Sequence, residues 1–281
     1  SDRPPDAGWD AARIRAALPD AVLAELAGLE VVGAIDSTNA ELLRRPAPAH
    51  GTMVLLADSQ TAGRGRAGRS WSSPAGANLY LSLSRRFELG LAALGGLSLA
   101  VGVAAAEALR GLGAAEVQLK WPNDLVCPDN SGNLQKLGGV LIEAGRDGDG
   151  TRGVIGLGLN LRMPPEAAAG IDQPWCDLAQ RLGEAMPPRE VVAATTLTVL
   201  LSALDLYARD GLDAFALRFD ALDALRGRTV SAALATGGLQ GIAEGIAADG
   251  ALRVRAHTGV HTLHAGEVRV RPAEASAMIA P

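Results

Sequence analysis

The sequence predicts an α+β protein in two parts: a large part of mixed helices and strands over residues 1–226 and a small all-β part over residues 227–281. Three observations predict it. Residues 78–85 alternate, with Leu79, Leu81 and Leu83 facing one way and Tyr80, Ser82 and Ser84 the other, which is the period of a strand. Residues 92–111 place large aliphatics at Leu94, Leu97 and Val101, which is the period of a helix. From about Gly227 the helical period stops. Short alternating segments with glycine turns take over, and these read as a small barrel.

The elements follow in order. Residues 1–8 are polar with a Pro-Pro pair and read as a loose terminus. Residues 9–27 read as a helix broken at Pro19, and residues 29–35 as an apolar strand. Asp36, Ser37, Thr38 and Asn39 then offer capping side chains to the helix that starts at AELLRR. Residues 52–57 form a buried strand. Residues 58–78 read as a long polar loop with five glycines or prolines, and loops of that length in compact domains are usually functional or disordered. Residues 116–119 form a strand that runs into Lys120-Trp121-Pro122-Asn123-Asp124. Residues 137–144 and 153–161 are the strands of a hairpin around Asp147-Gly148, and helices follow near 175–184, 189–209 and 211–222. In the C-terminal part Leu252 and Val254 alternate with Arg253 and Arg255, and Val268 and Val270 with Arg269 and Arg271. Asp249-Gly250 is a hairpin signal. His257, His261 and His264 fall on these strands as surface positions, not as a metal site.

Composition bounds the function. Apolar residues are 48% and charged residues 20% of 281, as in a soluble globular protein. The net charge of −5 argues against a general nucleic-acid surface. Cys127 and Cys176 lie in no CxxC or Cys/His cluster, so neither zinc nor a disulfide framework is expected. With no signal-peptide pattern, a reducing, cytoplasmic home is the simple reading. Residues 89–106 hold no charge, yet ten of the eighteen are Gly or Ala, which favours a helix buried against a sheet over a membrane span. Of 26 basic residues only Lys120 and Lys136 are lysines, and such survivors suggest a need for a compact ammonium.

The segment Gly63–Trp71, GRGRAGRSW, literally contains GxGxxG. A dinucleotide fingerprint needs a strand directly before it and a helix opening directly after it. Here the strand is expected to end near Ala57, and RSWSSPAGAN suits no helix. The loop has a chemistry of its own. Arg64, Arg66 and Arg69 concentrate positive charge, and the glycines let backbone N–H groups approach phosphate oxygens. Guanidinium groups hold carboxylate and phosphate in bidentate fashion, so a ligand carrying both suits this loop. At the second motif Pro122 keeps Trp121 extended and projects Lys120, Asn123 and Asp124 from a strand end, where ligand sites tend to lie. At the third, Lys136 enters a buried strand whose glycines leave room for a flat group.

Together these motifs resemble the biotin–protein ligase family. The matching words are Ser37-Thr38-Asn39, Gln60, Gly63 to Trp71, Ser73-Pro74, Gly76 to Ser82, Lys120 to Asp124, Lys136 to Glu143, and Gly156 to Asn160, in the family's order. The resemblance implies a mixed-sheet catalytic domain related to class II aminoacyl-tRNA synthetases and a C-terminal SH3-like barrel. It implies that biotin and ATP form biotinyl-5′-AMP and pyrophosphate, and that a lysine of a biotin carboxyl carrier protein then takes the biotin. Lys136 is implied as the cation between biotin and the α-phosphate, with Arg64 and Arg66 holding the two anions. Ser37, Thr38, Asn39 and Gln60 are implied to bind the ureido ring, with Gly65, Gly156 and Gly158 close to biotin. Arg69, Trp71, Lys120, Asn123 and Asn160 would face the nucleotide, Trp175 would stack on adenine, and Asp124 would touch a Mg²⁺ ion. The stretch LVCPDNSGNLQ before Lys136 is longer than in many relatives, so that turn is expected to differ. Few residues precede Ser37, so a ligase without the DNA-binding winged helix of some relatives is expected. The rival readings are a lipoate- or octanoate–protein ligase, whose Arg-Arg and triple-Gly signature is absent, and a biotin-binding protein without catalysis.

Overall fold

A computed structural model describes residues 8–234, 237–264 and 269–272. The expected loose terminus at residues 1–7 and the strand position at Val268 lie outside the described residues. The chain opens with α1 (Ala11–Ala16) and α2 (Asp20–Ala24), separated by Pro19 as its missing N–H requires. Strand β1 (Leu26–Ile35) leads to α3 (Thr38–Arg44), then to β2 (Thr52–Gln60) and β3 (Asn78–Phe87). A short 3₁₀ turn at Leu91–Leu94 precedes α4 (Leu97–Gly111). Next come β4 (Gln118–Lys120), β5 (Asp124–Pro128) and the long hairpin β6 (Leu134–Asp147) and β7 (Gly150–Asn160). Four helices follow: α5 (Pro165–Ala168), α6 (Leu178–Leu182), α7 (Arg189–Asp210) and α8 (Asp213–Leu222).

The seven strands form one sheet in the order β1-β2-β3-β7-β6-β5-β4. Only β1 and β2 run parallel, joined by the crossover through α3, and every other pair is antiparallel. Both faces of β3 are buried. Leu79, Leu81 and Leu83 enter the main core with Leu97, Val101 and Leu197. Tyr80, Ser82 and Ser84 are no more than 1% exposed, so the alternation marks two covered faces, not an inner and an outer one. The second face lies beneath α3, where Leu42, Leu55 and Val154 make a small cluster. The strand at β5 was not expected from the sequence, because Pro122 and Pro128 flank a short apolar run.

The segments Leu91–Gly111 and Arg189–Asp210 are long and apolar enough to cross a membrane. In the fold their apolar sides fill the core against the sheet, and α4 and α7 pack on each other. Cys127 and Cys176 are free and fully buried, and they are neighbours, the Cys176 thiol helping to push the Cys127 thiol up. The sequence offered no sign of this meeting, because the two residues come from distant segments.

The C-terminal part is an antiparallel sheet in the order β11-β10-β9-β8-β12, from β8 (Thr229–Leu234), β9 (Gly237–Ile246), β10 (Leu252–Ala256), β11 (Gly259–Leu263) and β12 (Arg269–Pro272). Leu252 and Val254 are buried and Arg253 and Arg255 exposed, following the alternation. His257 sits in the turn after β10 and His264 beyond β11, so only His261 is on a strand as expected. This sheet is fastened to the first. Trp121 Nε1 donates to the Gly250 carbonyl at 2.9 Å, and Ala224 N, in the segment that leads into this sheet, donates to the Leu119 carbonyl at 2.8 Å. Gly250 needs its positive φ of 83°, and a Cβ there would meet Leu99 at 3.0 Å. Trp121 is 2% exposed at this junction. Replacing it by Ala should lower unfolding free energy by about 3–5 kcal/mol, the usual cost of truncating a buried aromatic, as read from urea unfolding.

Candidate functional site

The site occupies the α3 face of the sheet, where β7 carries no side chain at two alternate positions. Asn39 descends from α3 onto Gly156, where a Cβ would lie 2.4 Å from Asn39 Oδ1. Trp71 lies on Gly158, where a Cβ would lie 2.8 Å from the indole. The two glycines were expected to leave room for a ligand. In the fold Asn39 and Trp71 stand against these glycines and form walls of a cavity of about 220 Å³ that both glycines still line.

One wall is a hydrogen-bonding surface. Ser37 caps α3, its side chain accepting from Ala40 N. Thr38 N donates to Gln60 Oε1 at 2.9 Å, and Gln60 Nε2 donates to Ser73 Oγ at 3.0 Å. Ser82 Oγ lies 2.7 Å from Thr38 Oγ1 and 2.6 Å from Asn39 Oδ1. Asn39 Nδ2 donates to Glu143 Oε2 at 3.0 Å. Thr38, Asn39 and Ser82 are each under 5% exposed, so this array is pre-set by the fold.

The opposite wall is cationic. The segment Gly63–Trp71 folds back on itself as a small hairpin, with Gly65 N donating to the Arg69 carbonyl at 2.7 Å and Trp71 N to the Gly63 carbonyl at 2.8 Å. Its turn is a 3₁₀ step at Arg66–Gly68, with Ala67 at φ 54° and Gly68 at φ 71°. Strand β2 runs on to Gln60, nearer the motif than expected, yet no α-helix opens after it, so the dinucleotide geometry is absent. Arg66 donates to Asn123 Oδ1 at 3.1 Å, and burial draws its guanidinium below the ordinary value, against the pull of Asp124. Asn123 is fixed in turn by donating to the Val140 carbonyl at 2.8 Å. Arg64 pairs with Glu143 at 2.9 Å. Arg69 and Gly65 complete this side of the lining.

Lys136 reaches the cavity through an irregularity. Between β5 and β6 the register shifts, so that Leu125 opposes Gly138 and Val126 opposes Lys136, leaving Leu137 as an extra residue. Such bulges re-aim side chains near sites. Lys136 Nζ pairs with Asp124 at 2.7 Å and stands 5.2 Å from the centre of the Trp71 ring. Its main chain bonds the segment that follows α5: Lys136 N donates to the Pro174 carbonyl at 2.9 Å, and Cys176 N to the Lys136 carbonyl at 3.0 Å.

Thirteen expected positions line the cavity: Ser37, Thr38, Asn39, Gln60, Arg64, Gly65, Arg66, Arg69, Trp71, Asn123, Lys136, Gly156 and Gly158. Lys120, Asp124, Asn160 and Trp175 stand off its wall. Asn160 is 4% exposed and donates to the Cys176 carbonyl at 3.0 Å, holding the Trp175 segment beside Lys136. Ser82, Glu143, Asp172 and Gln173 join the site without having been assigned to it. Ser82 could have been found from the polar face of β3. Glu143 is only one acid among many until the hairpin brings it to Asn39 and Arg64.

A buried wall of neutral donors and acceptors facing a cluster of cations defines a site for a ligand with a polar neutral head and adjoining anions. The comparisons agree with that geometry. The Biotin/lipoate A/B protein ligase family matches residues 31–160, and the Biotin protein ligase C terminal domain matches residues 226–271. The bifunctional ligase/repressor BirA of Escherichia coli is 40% identical over 256 residues, 90% of this chain and 78% of BirA. The biotin--[acetyl-CoA-carboxylase] ligase of Paracoccus denitrificans is 36% identical over 242 residues, 83% of this chain and 96% of that protein. The structure of the Aquifex aeolicus biotin protein ligase in complex with biotin and ATP superposes with a TM-score of 0.72 at 26% identity, covering 88% of this chain and all of that one. The chain belongs to the biotin protein ligase family.

The approach to the α3 cap is charge-pinned. Arg44 donates two hydrogen bonds to Asp36, at 2.7 and 2.9 Å, and Ser37 N donates a third. Arg44 first, then Ser37 N, lowers the Asp36 carboxyl from 3.8 to about 2. Because the folded value is the lower one, this stabilisation is complete above about pH 4 and is lost as pH falls toward 2. The pair is half exposed, so Asp36→Asn should remove less than about 1 kcal/mol of acid dependence in that window, measured by denaturant titration at pH 2 to 5.

Proposed function

We propose that the expected residues of this cavity bind biotin and ATP side by side and join them as biotinyl-5′-AMP. The chain is an ATP-dependent biotin–protein ligase: it activates biotin with release of pyrophosphate and transfers it to a lysine of an acceptor protein. The reading rests above all on one observation. Lys136 Nζ and the Arg66 guanidinium enter a cavity whose other wall is the neutral array of Thr38, Asn39 and Gln60.

The physical demand is that two anions, a carboxylate and the α-phosphate, must meet. Fixed cations between them lower that repulsion, most strongly in a site shielded from water. Lys136, held by Asp124 and 15% exposed, is fixed in this way. It acts as a charge and not as a nucleophile. Ser37, Thr38, Asn39 and Gln60 are assigned to the ureido ring, with Gly65, Gly156 and Gly158 along biotin. Arg64 and Arg66 are assigned to the carboxylate and phosphate side. Arg69, Trp71 and Asn123 are assigned to the nucleotide, and Lys120, Asn160 and Trp175 support that end from outside the cavity wall.

Mg²⁺ is proposed to arrive with ATP. Among the described residues no three His, Cys, Asp or Glu side chains gather to hold a metal. Mg²⁺ is commonly held by one or two carboxylates, water and the nucleotide's own phosphates, and this donor set fits that habit. Asp124 is its proposed protein contact, at present paired with Lys136, and the ion would screen phosphate charge.

The acceptor is proposed to be the biotin carboxyl carrier protein of acetyl-CoA carboxylase or a related carboxylase, in line with the acetyl-CoA-carboxylase in the Paracoccus relative's name, and the setting is proposed to be cytoplasmic. Residues 1–226 are proposed as the catalytic unit and residues 227–281 as the SH3-like unit. With a net charge of −5, residues 1–281 are not expected to bind operator DNA.

A pyrophosphate-release assay with biotin, lipoate and octanoate checks the substrate: release with biotin alone is expected, and release with another acid instead would overturn the assignment. Lys136→Ala should lower biotin-dependent release by about 10²–10³-fold, the scale of removing one fixed charge-stabilising group. Full activity in that variant would remove Lys136 from the mechanism. Closure of the loop over the adenylate, which would exclude water, predicts that residues 63–72 resist protease most when biotin and ATP are both present.

A further inference from the structure

Glu143 has no part in the assignments above, yet it occupies the junction between the two walls. Its Oε1 pairs with Arg64 of the loop at 2.9 Å, and its Oε2 accepts from Asn39 Nδ2 at 3.0 Å. From Asn39 the contacts continue to Ser82 Oγ at 2.6 Å and on to Thr38 Oγ1 at 2.7 Å. Thr38 N then donates to Gln60 Oε1 at 2.9 Å, and Gln60 Nε2 to Ser73 Oγ at 3.0 Å. Ser73 Oγ donates to the Trp71 carbonyl at 3.0 Å. The chain of hydrogen bonds therefore leaves the loop at Arg64, crosses the neutral wall and returns to the loop at Trp71. Glu143 is the only carboxylate in that circuit, and its bond to Arg64 is the only link that joins opposite charges.

We propose that Glu143 is a positioning residue that latches the Gly63–Trp71 loop over the cavity through Arg64 and couples that closure to the Thr38, Asn39 and Gln60 surface. Arg64 stays on the carboxylate and phosphate side of the cavity beside Arg66 and Lys136, and Glu143 fixes its guanidinium there. The physical reason is economy of charge in a small space. An arginine bound to a carboxylate at one end of the loop fixes the hairpin without adding net charge to the cavity. A ligand seated against Asn39 tightens the same carboxylate that holds the loop, so occupancy of the neutral wall favours closure. The ligand's identity rests on the biotin reading, but the latch itself does not.

The loop carries its own reporter, since trypsin cuts after Arg66 and Arg69. Glu143→Gln keeps the size and the bond from Asn39 while removing the charge. Arg64→Gln alters a side chain that is 47% exposed and leaves the fold intact whatever the fate of the first variant. Limited trypsinolysis of the full chain, free and with biotin, should cut after Arg66 and Arg69 about tenfold faster in each single variant than in the wild type, the scale of losing a hydrogen bond to a charged group. The double variant should be cut no faster than either single one, because the two residues act as one unit. The KM for biotin should rise in Glu143→Gln, and biotin alone should slow loop cleavage in the wild type but not in that variant. Wild-type cleavage rates in Glu143→Gln, or effects that multiply in the double variant, would overturn the latch. Biotin-dependent pyrophosphate release by the wild type reports on the adenylation reading separately, so failure of one is distinguishable from failure of the other.

Discussion

The site depends on a single constraint: strand β7 must present bare backbone at Gly156 and Gly158. A side chain at either position would collide with Asn39 or with the Trp71 indole. Glycine in a strand interior weakens it and removes a packing surface. Here β7 can carry that cost because it is central in the sheet, with β3 along one edge and β6 along the other. The cavity is therefore floored by the bare backbone of β7 and walled by α3 on one side and the Gly63–Trp71 loop on the other.

Everything else in the site is arranged around that gap. The crossover from β1 to β2 places α3 above it, and the Ser37 cap sets the first turn of α3 so that Thr38 and Asn39 point down. The extra residue at Leu137 turns Lys136 toward it, and Asp124 restrains the ammonium. The Trp121 corner is pinned by the C-terminal sheet through the Gly250 carbonyl, and two residues later Asn123 holds Arg66. The second sheet thus bears on the cation cluster through a five-residue corner, although none of its described residues lines the cavity. A site that must bring two anions together needs this over-determination, since fixed charges aid catalysis only if they need not reorganise.

Part of this was legible in the chain itself. Local period and capping chemistry are properties of neighbouring residues, so α3 behind Ser37, the β6–β7 hairpin around Asp147-Gly148, and the change of pattern near Gly227 could be read directly. The residue types of the site were legible too, because clustered arginines, a rare lysine and paired glycines each carry a chemistry at short range. The family resemblance joined those words into one site. What could not be read were partnerships. The alternation of β3 set Tyr80 and Ser82 on the face opposite Leu79 and Leu81, but nothing local announces that α3 will cover that face. Asn160 is assigned to the nucleotide end from its motif alone, and nothing local announces that its amide also holds the Cys176 carbonyl.

The sequence by itself determined which elements form, which loop carries the positive charge, and that this charge belongs with Lys136 and with a neutral hydrogen-bonding segment at Ser37 to Asn39. Only the tertiary structure decided who meets whom. Glu143 became the partner of Arg64 and Asn39, Asp124 that of Lys136, and Trp71 that of Gly158. The reason is that hydrogen bonds and ion pairs act over a few ångströms in space and are indifferent to separation along the chain. The strand register and the bulge at Leu137, which set those few ångströms, emerge only when the whole sheet has closed its core.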